Sequence, residues 1–229
     1  MLATIALLAG LASAVPTMIP NDKFEMRDSK GFRLVVNVTN PAHDFPGNPV
    51  NGLKVFPARA GANINYASVT NTGGAVFFTT STNLTRLSTD YLPTGLVSRP
   101  SPDSAHTDML GLDVGQGTAG FGVSTWPKTC GTLQAPVSGT FAVCDLGFEA
   151  PVHPRFVVQY VEGTANAGDD KFYAEEPNVP DNCVAVKLLP ECAELAGTKR
   201  ADGEEIVTSR CYPDVGVITW QDGMKICWG

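Results

Sequence analysis

Short apolar runs broken by Gly, Pro, Asn or Asp recur along the chain from Gly31 onward. The clearest alternation is GFRLVVNVT at 31–39, with Phe32, Leu34 and Val36 on one face and Arg33, Val35 and Asn37 on the other. A two-residue period of this kind predicts a strand. LKVFPA from Leu53, ANINYASVT from Ala62 and AVFFTT at 75–80 continue the series. The densest stretch is 139–192, with GTFAVC, RFVVQYVEG and NCVAVKLLPEC, rich in Val, Phe and Tyr as buried strands are. KFYAEE, EEIVTSRCY and VGVITW complete the strand-like runs. Residues 40–52, with three Pro, two Gly and three Asn, predict a loop. Ser81 to Asp108 is long, polar and punctuated by Pro93, Pro100 and Pro102, and predicts a second loop that covers one end of the core or carries function. MLGLDV and FGVSTW flank a Gly-rich turn and predict a hairpin.

Helical periodicity of useful length is absent, since the one candidate, Leu188 to Leu195, contains Pro190. About a dozen short strands with regular turn signals predict an all-β protein, a single β-sandwich or β-barrel, with a trefoil-like barrel among the options. Residues 1–14 form an apolar run ending in Ala12, Ser13 and Ala14, the pattern of a secretory signal peptide, so the mature chain is expected to start near Val15. Residues 15–30 are polar and contain Pro, which predicts a lead-in rather than a core element, and 31–229 form the β-rich domain.

Six cysteines, an even number in a secreted context, predict a disulfide-stapled domain, and none has the C-x-x-C spacing of a zinc or redox site. All six lie in the second half. The preferred pairing is Cys144 with Cys183, Cys192 with Cys211 and Cys130 with Cys227, and a direct Cys183 to Cys192 bridge turned by Pro190 is the main rival. Asn37-Val-Thr and Asn83-Leu-Thr are glycan acceptors in such a context. Asn83 is the better placed, because Asn37 lies in a strand-like run that can face inward.

The net charge of -7 and the scattering of the basic residues argue against a nucleic-acid surface and against docking on anionic lipid. No run after the leader approaches the roughly 18–20 apolar residues of a membrane span. No cofactor is expected. Gly115, Gly117 and Gly120 spell G-x-G-x-x-G, yet a strand-like run follows where a dinucleotide site needs a helix, so a Gly-rich turn is the reading. Ser104, His106 and Asp108 are hydrolase residue types at strand spacing, but neighbours two apart lie about 6.6 Å from one another, too far to build a triad locally. His43 beside Asp44 and His153 in PVHP complete the histidines, and their spacing offers no metal-ligand pair. The carboxylate pairs Asp169–Asp170, Glu175–Glu176 and Glu204–Glu205 read as solvated loop or edge rather than a glycosidase pair, with calcium a minor option at the first. Lys199–Arg200 is a dibasic pair in a polar stretch, read as an uncut loop. Trp228 is the freest of three tryptophans for stacking on a sugar, and with His106 and Asp108 it makes up the candidate binding residues.

GTFAVC at 139–144, PDNCVAVKLLPEC at 180–192, RCYPDV at 210–215 and GFRLVVNVTNP at 31–41 resemble a family of small secreted proteins of ascomycete fungi. The resemblance spans about residues 31–220, and Cys130 and Cys227 are less typical of it. That family is a domain of unknown function, so the resemblance implies a β-rich extracellular protein and transfers no catalytic residue. The sequence thus favours a secreted, non-enzymatic, extracellular or cell-wall-associated protein that binds a wall glycan or another surface partner. An extracellular hydrolase and a host-directed effector, with a host protein as its partner, are the alternatives.

Overall fold

The computed structural model describes residues 25–61, 64–80, 85–88, 93–101, 104–115, 117–124, 131–147, 154–163, 179–195 and 205–218. Among them there is no α-helix, only a 3-10 turn at Pro41–His43 and fifteen strands. In chain order these are β1 (Arg27–Ser29), β2 (Gly31–Val38), β3 (Lys54–Gly61), β4 (Ile64–Thr70), β5 (Phe77–Thr80), β6 (Thr85–Ser88), β7 (Pro93–Ser101) and β8 (Ser104–Val114). They continue with β9 (Gly122–Val123), β10 (Leu133–Gln134), β11 (Gly139–Asp145), β12 (Phe156–Glu162), β13 (Cys183–Ala193), β14 (Ile206–Val207) and β15 (Ser209–Cys211).

Eleven strands form one antiparallel sheet in the order β11-β13-β2-β3-β4-β12-β8-β7-β6-β5-β14. Strands β2, β4 and β12 change partner part-way along, which wraps the sheet around the core. The contacts β2–β3, β2–β5, β4–β12 and β4–β8 are single rungs, and the sheet is not a closed barrel, which removes the barrel and trefoil options. The alternation read from the sequence sets the core. Phe32, Leu34, Val36 and Val38 of β2 pack with Val184, Val186 and Leu188 of β13, Phe141 and Val143 of β11, and Leu110 and Leu112 of β8. Burying side chains of this size contributes roughly 1.5–3 kcal/mol each before the entropy of ordering the chain is subtracted. The opposite face of β2 and β13 is also covered, where Val35 and Leu189 pack against Tyr212, Val215 and Ile218.

Several expectations are corrected. Ser81 to Asp108 is not one long loop: it contains β6, β7 and the start of β8. Proline misled the reading. Pro93 opens β7, and Pro100 lies beside a register shift at its end, positions where a missing N–H is tolerated. MLGLDV, the end of β8, pairs with β7, whereas FGVSTW supplies β9, whose partner is β10, so the two do not form a hairpin. EEIVTSRCY divides into β14 and β15, and Val215 to Ile218 of VGVITW is a turn closed by the Ile218 N–H on the Val215 carbonyl (3.0 Å). The last residues of the polar lead-in form β1, paired with β15. KFYAEE lies outside the described residues.

Cys144 is bonded to Cys183 and Cys192 to Cys211, as the preferred pairing has it. The rival Cys183–Cys192 bridge is ruled out because Pro190 stays extended and the two cysteines stand at opposite ends of β13, about 30 Å apart along a strand. Cys130 and Cys227 lie outside the described residues.

Candidate functional site

The β7–β8 pair brings together some of the polar residues singled out in the sequence. Asp108 lies opposite Pro100 on one side and Tyr160 of β12 on the other. Its Oδ2 accepts the Ser98 hydroxyl proton at 2.5 Å. The Ser98 backbone N–H in turn donates to Thr118 Oγ1 (3.0 Å), and the Thr118 N–H to the Leu96 carbonyl (2.8 Å), so the Gly-rich turn folds back onto β7. Strand β9 follows that turn, in keeping with its reading as a turn and not a dinucleotide loop. His106, two residues before Asp108, is exposed. A hydrolase triad hydrogen-bonds its serine to the histidine ring; here the Ser98 hydroxyl donates to the carboxylate itself. On the paired strand β12, the Tyr160 ring meets Phe141 edge-on at 5.1 Å and its hydroxyl donates to the Val137 carbonyl at 2.5 Å. Burial, with Glu162 adding to it, pushes the Tyr160 phenol up to about 12.

The start of β12 meets the 40–53 loop, and here the structure adds what the sequence reading passed over. Asp44 anchors the loop: Oδ1 accepts the Phe45 and Val50 N–H groups at 2.8 and 2.9 Å, and Oδ2 the Asn51 N–H at 3.2 Å. Asn40 Oδ1 accepts the Ala42 N–H at 3.1 Å and starts the 3-10 turn. The loop also completes the edge of β2 where β3 departs: Val36 exchanges bonds with the Leu53 carbonyl and the Gly52 N–H, both at 2.8 Å, and the Val38 N–H donates to Asn51 Oδ1 at 2.9 Å. An Asp or Asn whose side chain holds backbone donors a few residues away is a known turn device, and Asp44 flanked by Pro and Asn was its signal.

Phe45 projects from this loop onto Phe156, with ring centroids 5.1 Å apart, and the Arg155 guanidinium lies over the Phe156 ring at 5.1 Å. Arg155 donates from Nε (3.0 Å) and Nη2 (2.8 Å) to Asp145 Oδ2. That bond, above the other contributions, holds the Asp145 carboxyl below the usual carboxylate range. The Cys144–Cys183 disulfide sits next to it, and Asn182 Nδ2 donates to the Asp145 carbonyl at 2.9 Å. His43, Asn40 and Asn48 are exposed at the loop's surface. A preorganised, amide-rich loop beside an aromatic–guanidinium stack is suited to binding a neutral polar ligand.

Asn37 is 7% exposed and lies opposite Lys187 on the face turned away from the main core. Burial holds the Lys187 ammonium below its ordinary value. Asn83, Trp126, Trp220, Trp228, His153, Asp169, Asp170, Glu175, Glu176, Lys199, Arg200 and Glu204 lie outside the described residues. Among the described residues no group of three His, Cys, Asp or Glu side chains is placed to hold a metal, and no helix is long and apolar enough to cross a membrane.

No solved structure matches the chain. The antigenic protein SchS34 of Stachybotrys chartarum, an ascomycete fungus, is 34% identical over 207 residues, spanning 85% of this chain and 90% of that protein. A family model described as a domain of unknown function, DUF7907, matches residues 29–192, from the end of β1 to the penultimate residue of β13. With the sheet's principal strands inside that match, the chain belongs to the DUF7907 family, an uncharacterised fungal family, as the resemblance in its cysteine-bearing motifs implied.

Proposed function

We propose that this is a secreted, non-enzymatic protein of the fungal cell surface that binds a wall glycan through the 40–53 loop and the adjoining Phe45–Phe156–Arg155 stack. The observation that carries the reading is Asp44, whose carboxylate accepts three backbone N–H groups of the loop. A loop fixed before the ligand arrives loses little further entropy on binding. The exposed amide of Asn48 offers the paired donor and acceptor groups that sugar hydroxyls require. Two disulfides support an oxidising compartment. The description of the similar Stachybotrys protein as antigenic accords with a location where an immune system meets it.

The test is retention of the secreted, oxidised protein on chitin and on β-glucan, compared with the Asn48→Ala variant. Retention of the native protein and its loss in the variant is the expected result. No retention of the native protein on either polymer, or equal retention of the variant, overturns the assignment. Recovery of the chain in the culture medium, starting near Val15, tests the secretion.

A further inference from the structure

We infer that Asn51–Gly52 is a latent deamidation site, held unreactive by the same contacts that close the edge of β2. Asn followed by Gly is chemically the most prone pair, because glycine's lack of a side chain lets its nitrogen approach the neighbouring carboxamide. Asn51 is exposed, so water reaches it. In the reaction the Gly52 nitrogen attacks Asn51 Cγ and gives its proton to solvent. The Cγ–Nδ2 bond breaks and ammonia leaves, forming a five-membered succinimide. Water then opens either carbonyl of that ring, yielding an aspartate in normal linkage or its isoaspartyl isomer. One water is consumed, one ammonia is released and nothing is oxidised or reduced.

Each reacting group is restrained in the fold. The nucleophile's N–H is committed to the Val36 carbonyl at 2.8 Å. The electrophile's Oδ1 is held by the Val38 N–H at 2.9 Å, and the Asn51 backbone N–H by Asp44 Oδ2 at 3.2 Å. The first two bonds must open before the nitrogen can swing to Cγ, and the third holds Asn51 in the seat that keeps them closed. Deamidation therefore proceeds only through local opening of the loop, whose free energy sets the protection. Its product does not restore the starting state. The new carboxylate lies near that of Asp44, and the isoaspartyl linkage inserts a methylene into the backbone between two residues that both bond β2. The modification converts a transient opening into a permanent loss of the loop's seat.

The experiment is a peptide-mapping mass measurement of Asn51 deamidation over time in the oxidised protein, in the same chain unfolded in urea, and in Asp44→Ala. The folded protein is expected to react at least about tenfold more slowly than the unfolded chain, with Asp44→Ala in between while its circular dichroism stays native. Equal rates in the folded and unfolded protein overturn the inference, as does a native-like Asp44→Ala that reacts no faster than wild type. Should Asp44→Ala not fold, hydrogen exchange at the Gly52 and Val38 amides of the wild type decides: protection is expected, and exchange at the rate of an unfolded chain overturns it.

Discussion

The hydroxyl of Tyr160 donates to the carbonyl of Val137 at 2.5 Å, fastening the centre of β12 to the segment that leads into β11. Because burial raises this phenol to about 12 from an ordinary 10.0, the neutral form is favoured in the fold and the unfolded chain ionises first. The stability it contributes is complete below pH about 10 and is lost as pH rises through about 12. Tyr160→Phe keeps the ring's contact with Phe141 and removes the bond, at an expected cost of about 1–2 kcal/mol. Urea unfolding at neutral pH checks the cost. An absorbance titration of tyrosinate, in which the variant loses the step near 12, checks the ionisation.

Gly139 faces the same ring. A methyl group there would stand 2.8 Å from Tyr160 Cζ and press on the Val161 carbonyl oxygen of the paired strand. Backbone cannot yield as a flexible side chain does, so Gly139→Ala is expected to destabilise by about 1–3 kcal/mol. A melting curve reads the loss directly, and a variant as stable as wild type would show that the β11–β12 ladder has slack.

The two disulfides among the described residues should differ in worth. Cys144–Cys183 closes a separation of 39 residues and Cys192–Cys211 one of 19, which the chain-entropy account converts to about 4 and about 3 kcal/mol. Replacing each pair by serine and comparing urea midpoints checks the order. The 144–183 pair is expected to cost more.

Of the two sequons, Asn83 is expected to carry a glycan and Asn37 none. Asn37 is buried beside Lys187, and the Thr39 hydroxyl of its sequon donates to the Ala185 carbonyl at 3.1 Å. Enzymatic deglycosylation followed by peptide mapping distinguishes the sites, and a glycan at Asn37 would require that face of β2 to open.

The strands that alternate cleanly or run apolar for several residues, such as β2, β11, β12 and β13, were legible because burial on one or both faces leaves its period in the sequence. The pairing of Cys144 with Cys183 was legible too, since both sit at the ends of such strands. Strand β7 was not. PTGLVSRPS has two prolines and three hydroxyl-bearing residues, and it is a strand because it is laddered along β8, from Ser104 to Val114, on one side and paired with β6 on the other. Nor could the single-rung contacts of β2 with β3 and β5 be read, because they depend on where the wrapped sheet brings distant strands together. The loop at 40–53 was recognised as a loop, but composition does not reveal order. Its rigidity resides in one carboxylate, Asp44, whose donors lie up to seven residues away.

The seating of residues 50–53 against β2 also bears on how the protein behaves when crowded. Where β3 turns away, the N–H of Val38 and the N–H and carbonyl of Val36 would otherwise be left as open rungs, ready to recruit a strand from another molecule. The Asn51 side chain and the Gly52 and Leu53 backbone fill those rungs from within the chain. At this sheet edge the protein carries its own guard against fibrillar self-association, built from uncharged groups that the Asp44 carboxylate holds in place.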